Sequence, residues 1–138
     1  MKKLILILAF AGLIATAYSQ SQNSDEVPTA VSRSFEKSHP NISPVTWSKS
    51  GDNYKASYVV DNKAMTVTYN ASAKLKETET EISVASLPTL ALKYLNDNFP
   101  HDYAKKSTKV TSADGKSAYF VNISQMDLAF DSKGKFIQ

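Results

Sequence analysis

The sequence predicts an α+β fold: a tandem repeat of one helix plus four antiparallel strands, with two helices packed on one face of an antiparallel sheet. Three observations predict it. A Pro-flanked amphipathic segment, Val27 to Pro40, returns sixty positions later as Leu87 to Pro100. Each copy is followed by stretches in which apolar and polar residues alternate, the period of half-buried strands. Short turn signals separate those stretches, among them Asp61-Asn62 and Asp114-Gly115, as hairpins require. A shared period of about sixty residues reads as a duplicated supersecondary unit, so missing it would misassign the fold.

Residues 1–19 read as a secretory signal peptide. Lys2 and Lys3 form a short basic start, Leu4 to Ala17 is almost wholly apolar, and Ala15, Ala17 and Ser19 offer cleavage before Tyr18 or before Gln20. The apolar core is too short to span a bilayer comfortably, so no membrane span is expected after cleavage. Residues 20–26 are polar and read as a disordered lead-in. Residues 27–138 then form a single domain of two repeats, 27–82 and 83–138.

Cleavage changes the charge argument. The whole chain has 16 Lys+Arg and 13 Asp+Glu, but Lys2 and Lys3 leave with the leader, so 14 basic residues face 13 acidic ones. Nothing remains to form the basic stripe that nucleic acid needs. The chain has no cysteine, which excludes disulfides and thiolate zinc sites. An exported domain without disulfides points to a bacterial envelope, periplasmic or secreted.

Helix one carries Val27, Val31 and Phe35 on one stripe, tolerates Pro28 at its start, and ends at His39-Pro40. From Val45 the period becomes two. Val45 to Lys49, Tyr54 to Val59, Met65 to Tyr69 and Leu75 to Ile82 read as four strands. Ser83 to Phe99 reads as helix two, with Ser86 as a candidate N-cap and Leu87, Ala91, Leu95 and Phe99 as its stripe. Tyr103 to Thr111 opens the second set of strands. There the offset slips to sixty-one, aligning Ala56 to Asp61 with Ser117 to Asn122 and Met65 to Asn70 with Met126 to Asp131. On this alignment Val59 and Phe120 are equivalent, and the eighth strand is cut short by Gln138.

The order V-P-x-A-V…F…H-P…V-x-W, then D-N-Y-K-A-S-Y, the run Thr78 to Ile82, and L-P…A-L-K-Y-L…F-P resembles the PepSY-like proteins, small exported bacterial proteins of β-lactamase-inhibitor-like description. The likeness runs from about Val27 to Ile137. It implies a tandem helix-plus-sheet fold and protein binding on the open sheet face. It carries no catalytic motif, so no active-site residue is transferred, and fold alone does not fix function.

Individual residues point the same way. His39 and His101 are the only histidines, too few for a zinc site without converging carboxylates. No nucleophile elbow is present, so no enzyme, no cofactor and no metal are expected. Glu77, Glu79 and Glu81 share one face of their strand by their spacing of two. They suit a cation or a basic partner, or serve as solvating charges that discourage sheet aggregation.

If Tyr54, Ala56, Tyr58, Met65, Val67 and Tyr69 face the helices, their neighbours face away. Val59 and Phe120 are then apolar residues on an otherwise polar face. With Trp47, should it also turn outward, they would centre a contact surface; the competing place for Trp47 is the core.

The expected function is therefore that of an exported, non-enzymatic binding protein of inhibitor-like kind. It would engage another envelope protein, a peptidase or other hydrolase, through the open sheet face, with Trp47, Val59 and Phe120 as contacts. The alternatives are a small-ligand or cation sensor using Glu77, Glu79 and Glu81, and a structural envelope component.

Overall fold

The computed structural model describes residues 27–137, so the expected signal peptide and lead-in lie outside the described residues. The elements run α1 (Thr29–Ser38), β1 (Thr46–Ser50), β2 (Asn53–Val60), β3 (Lys63–Asn70), β4 (Leu75–Ile82), α2 (Thr89–Asn98), β5 (Ala104–Ser112), β6 (Ser117–Ile123) and β7 (Met126–Phe130). All seven strands form one antiparallel sheet in sequence order, an open meander. After β7 the chain returns for a single bridge, Phe130 to Phe136, where the sequence predicted a truncated strand.

Helix α2 is shorter than expected. Val84–Ser86 forms a separate 3₁₀ turn, and Ser83, not Ser86, caps it by accepting from the Ala85 N–H. The cause is Pro88, whose ring drives Leu87 out of the helical region to φ −67, ψ 151. Both helices start at Thr after Pro, and the carbonyls of Pro28 and Pro88 accept their first hydrogen bonds.

Register assigns the faces. Val67 stands opposite Thr78, Thr78 opposite Thr111 and Thr111 opposite Ser117, so the odd residues of β6 share the face of Val67. Helix α1 buries Val31 and Phe35 against Tyr54, Ala56, Tyr58, Val67 and Tyr69. Helix α2 buries Ala91 and Leu95 against Val121, Ile123, Leu128 and Phe130. Both helices thus lie on one face, at opposite ends of it. Between them β4 and β5 present Thr78, Thr80, Lys109 and Thr111, none fully buried. The core is consequently two apolar clusters joined by a sheet.

Two turns have the same construction. Asn70 Oδ1 accepts from the Ser72 and Lys74 N–H groups at 3.0 Å each, and Asp131 Oδ1 accepts from those of Lys133 and Lys135 at 2.9 Å each. Ala73 and Gly134 take the positive-φ position in them. Gly134 is required there: an added Cβ would sit 2.7 Å from Pro88 Cβ and 2.8 Å from the Ala91 nitrogen.

The equivalence of Val59 and Phe120 is overturned. Tyr54 opposes Tyr69 at the foot of one hairpin as Tyr119 opposes Phe130 at the foot of the other. Tyr54 and Tyr119 are 65 apart (119 less 54), whereas Tyr69 and Phe130 are 61 apart (130 less 69). Strands β1 and β5, with Trp47 opposite Ala56 and Ser107 opposite Val121, remain 60 apart. The slip of one residue is therefore a gain of five in the β5–β6 hairpin offset by a loss of four in the β6–β7 hairpin. Superposing the two hairpins on these pairs would set Phe120 at Lys55 and Val59 at Ser124 in a turn. Four is even, so the faces survive while the positions along the strand do not.

Candidate functional site: the uncovered face of the sheet

The face opposite the helices carries Lys55 and Val59 from β2, Thr66 and Thr68 from β3, and Glu77, Glu79 and Glu81 from β4. Thr108 and Val110 from β5 and Ala118, Phe120 and Asn122 from β6 continue it. The spacing by two that grouped the three glutamates is realised as a stripe down the middle strand. Lys55 Nζ reaches Glu79 Oε1 at 2.9 Å, with both side chains mostly buried. Glu79 is thereby engaged within the face. Among the described residues no group of three or more His, Asp or Glu side chains could hold a metal ion.

A cleft of about 380 Å³ lies at the β4–β6 side of this face. Val110, Ala118 and Phe120 supply its apolar wall, and Thr68, Glu77, Ser112 and Asn53 its polar one, with Lys76 and Lys116 on the rim. A register shift between Thr68 and Tyr69 shapes one end: Thr68 opposes Glu77 and Tyr69 opposes Leu75, which leaves Lys76 as the extra residue of a bulge. The Lys76 carbonyl accepts from the Ala113 N–H at 2.8 Å, tying that bulge to the longer β5–β6 turn. Lys116 Nζ is paired with Asp114 Oδ2 at 2.6 Å.

Two groups in the cleft are energetically unusual. Thr68 is only 3 % exposed, yet among the described residues no helix covers its face and its hydroxyl has no hydrogen-bond partner. A buried hydroxyl left unbonded costs roughly 1–3 kcal/mol. Beside it, burial raises the Glu77 carboxyl above the ordinary glutamate range, the charge of Glu79 adds to this, and Lys55 and Lys76 oppose it.

The three predicted contact residues separate. Phe120 lines the cleft. Val59 is on the same face and 66 % exposed, but it belongs to β2, four strand spacings from β6, about 19 Å at roughly 4.8 Å per strand. Trp47 is a correction: it opposes Ala56, so it points to the helix side. There its ring meets Phe35 edge-on at 5.6 Å and it is half-buried against α1. A second hollow of about 180 Å³ adjoins it, lined by Phe35, Glu36, His39 and Ile42 among others. His39 stacks on Phe35 at 4.6 Å.

Thr68, Val110 and Ala118 escaped the sequence reading as site residues. Alternation placed Thr68 on the helix-free face, but its burial between Lys55 and Glu77 depends on pairing with the neighbouring strands, which no local pattern announces.

Comparison with known proteins decides the family. The model of the family described as beta-lactamase-inhibitor-like, PepSY-like matches residues 52–138. The chain belongs to this family. The match begins after α1 and β1, so it is carried by β2 onward. Solved structures share the fold of this PepSY-like chain. A Bacteroides eggerthii protein described as periplasmic has a TM-score of 0.76 at 16% identity, with 81% of this chain and 86% of that one covered. A DUF2874 family protein from Bacteroides uniformis has a TM-score of 0.73 at 17% identity over 80% and 86%. A BLIP-like protein from Bacteroides fragilis has a TM-score of 0.64 at 22% identity over 89% and 87%. At these identities the likeness concerns the fold. The search of curated proteins gives no match.

Proposed function

We propose that this PepSY-like chain is an exported, non-enzymatic binding protein of the periplasm that engages another envelope protein through the helix-free face of its sheet, in the manner of an inhibitor. The single observation that carries the reading is the cleft on that face. It combines the apolar wall of Val110, Ala118 and Phe120 with a polar surround, the composition of a contact centre with a hydrophilic rim. Sheet faces that serve only as scaffold have no need of a half-buried phenylalanine opposite their helices.

Location outside the cytoplasm is supported by the leader-like residues 1–19 and by the description of the Bacteroides eggerthii structure. No helix among the described residues is long and apolar enough to cross a membrane. The family supplies no catalytic residues. The matched Asn70 and Asp131 turns, and the succession of a Pro-started helix and antiparallel strands on both sides of Ile82, support two repeats, 27–82 and 83–138. The partner is an envelope protein such as a peptidase or other hydrolase.

The test is a crosslinked pull-down from the native envelope with the wild type and Phe120→Asp. The expected result is a partner captured by the wild type and lost with the variant, whose thermal melt stays cooperative. Capture undiminished by Phe120→Asp would remove the cleft from the contact.

A further inference from the structure

We propose that the cleft receives the guanidinium of an arginine side chain presented by the partner protein, with the Glu77 carboxylate and the Thr68 hydroxyl accepting its N–H groups. This rests on the reading of the helix-free face as the contact surface and adds the chemistry of what it contacts.

Thr68 carries the inference first. Thr68 lines the cleft, and its hydroxyl is buried with no hydrogen-bond partner among the described residues. Native proteins bond such groups, so a ligand that offers a donor supplies what the free protein lacks. By register Thr68 sits between Lys55 and Glu77, so an entering group reaches the hydroxyl by displacing one of those side chains. Glu77 lies across the ladder from Thr68, and one planar donor fork can serve both acceptors.

Charge points to a cation. The strands place Lys55, Lys76 and Lys106 on this face against Glu77, Glu79, Glu81 and Asp127, three positive charges against four negative. The rim lysine at 116 is already neutralised by Asp114. Lys76 opposes an incoming cation, but it is exposed and can move away.

Arginine fits better than lysine for two reasons. A guanidinium donates in a fixed fork and sheds water more readily than an ammonium, and its stem and plane pack on apolar and aromatic surface. Val110, Ala118 and Phe120 provide that surface beside the carboxylate.

The experiment is a ¹H–¹⁵N NMR titration of the protein purified from the periplasm, with N-acetyl-arginine amide and the uncharged isostere N-acetyl-citrulline amide as probes. Saturable shifts are expected at Thr68, Glu77, Val110 and Phe120 for the arginine probe. The citrulline probe should bind at least tenfold more weakly, which is about 1.4 kcal/mol. Glu77→Gln should erase that preference, Thr68→Val should weaken the arginine probe severalfold, and Lys76→Met should strengthen it.

Equal binding of the two probes, shifts centred elsewhere, or no saturation overturns the assignment. If the probe fails while Phe120→Asp still abolishes partner capture, the arginine assignment falls and the contact face stands. If the probe binds but capture survives Phe120→Asp, the contact face falls, and the partner-borne arginine with it.

Discussion

Thr68 and Glu77 oppose each other across the β3–β4 ladder on the side of the sheet that carries no helix, one with an unbonded buried hydroxyl and the other with a carboxyl raised by burial. Two polar groups held uncomfortably side by side, next to an apolar wall, do not serve the stability of the free domain, and they are what the proposed contact surface would use. That relationship yields stability predictions opposite in sign to those for the core.

Thr68→Val is expected to stabilise the free protein by about 1 kcal/mol, because the isosteric methyl needs no hydrogen bond. Urea unfolding measures it. A loss of stability would mean that the hydroxyl is satisfied in solution.

Glu77→Gln has a pH signature. The folded-state pKa of Glu77 lies above its unfolded value near 4.5. The folded state therefore favours the protonated form, and the stability this contributes is fully present below the unfolded pKa and lost as pH rises through the folded one. At pH 7 the buried charge is a burden that glutamine removes. The variant should melt higher than the wild type at pH 7, by under about 1 kcal/mol for a half-exposed, screened group, and the two should converge near pH 4. A lower melt at pH 7 would show that attraction by Lys55 and Lys76 outweighs the desolvation.

Gly134 and Gly115 both have positive φ, +85 and +83, but only Gly134 is crowded, by Pro88 and Ala91 of the α2 start. Gly134→Ala should cost about 3 kcal/mol from backbone strain plus overpacking. Gly115→Ala, with open space around it, should cost about 1 kcal/mol. Equal losses in urea unfolding would show that α2 does not rest on the Asp131 turn.

Phe35→Ala tests the place of Trp47. Phe35 is buried and contacts both Trp47 and Tyr58 edge-on, so its truncation should cost about 3–5 kcal/mol. The emission of Trp47, the single tryptophan, should shift to the red in the folded variant. Unchanged emission would place Trp47 away from α1.

Much of the fold was legible because it is written locally. The Pro-started helices, the period of two and the Asp61-Asn62 turn, whose φ values are 50 and 61, follow from side chains and nearest neighbours. What escaped the sequence depends on pairing between distant strands. Ser117 to Asn122 aligns with Ala56 to Asp61 in the sequence, yet superposing the two hairpins on their strand pairs would set Phe120 at Lys55, four residues from Val59. Trp47 belongs to a five-residue strand whose face is fixed only by its pairing with β2. Of the three residues predicted for the contact surface, Phe120 and Val59 lie on the helix-free face and Phe120 alone lines its cleft.

The central claim is that the helix-free face meets the partner, and adjacent residues of β5 test it most directly. Thr108 opposes Phe120 on that face, while Lys109 opposes Tyr119 on the helix side, and both are half-buried. A photo-crosslinking residue placed at Thr108 or at Lys109, with crosslinking in the native envelope, separates the two faces one residue apart. The account predicts a discrete partner adduct from position 108 and none from 109; an adduct from 109 alone would contradict it.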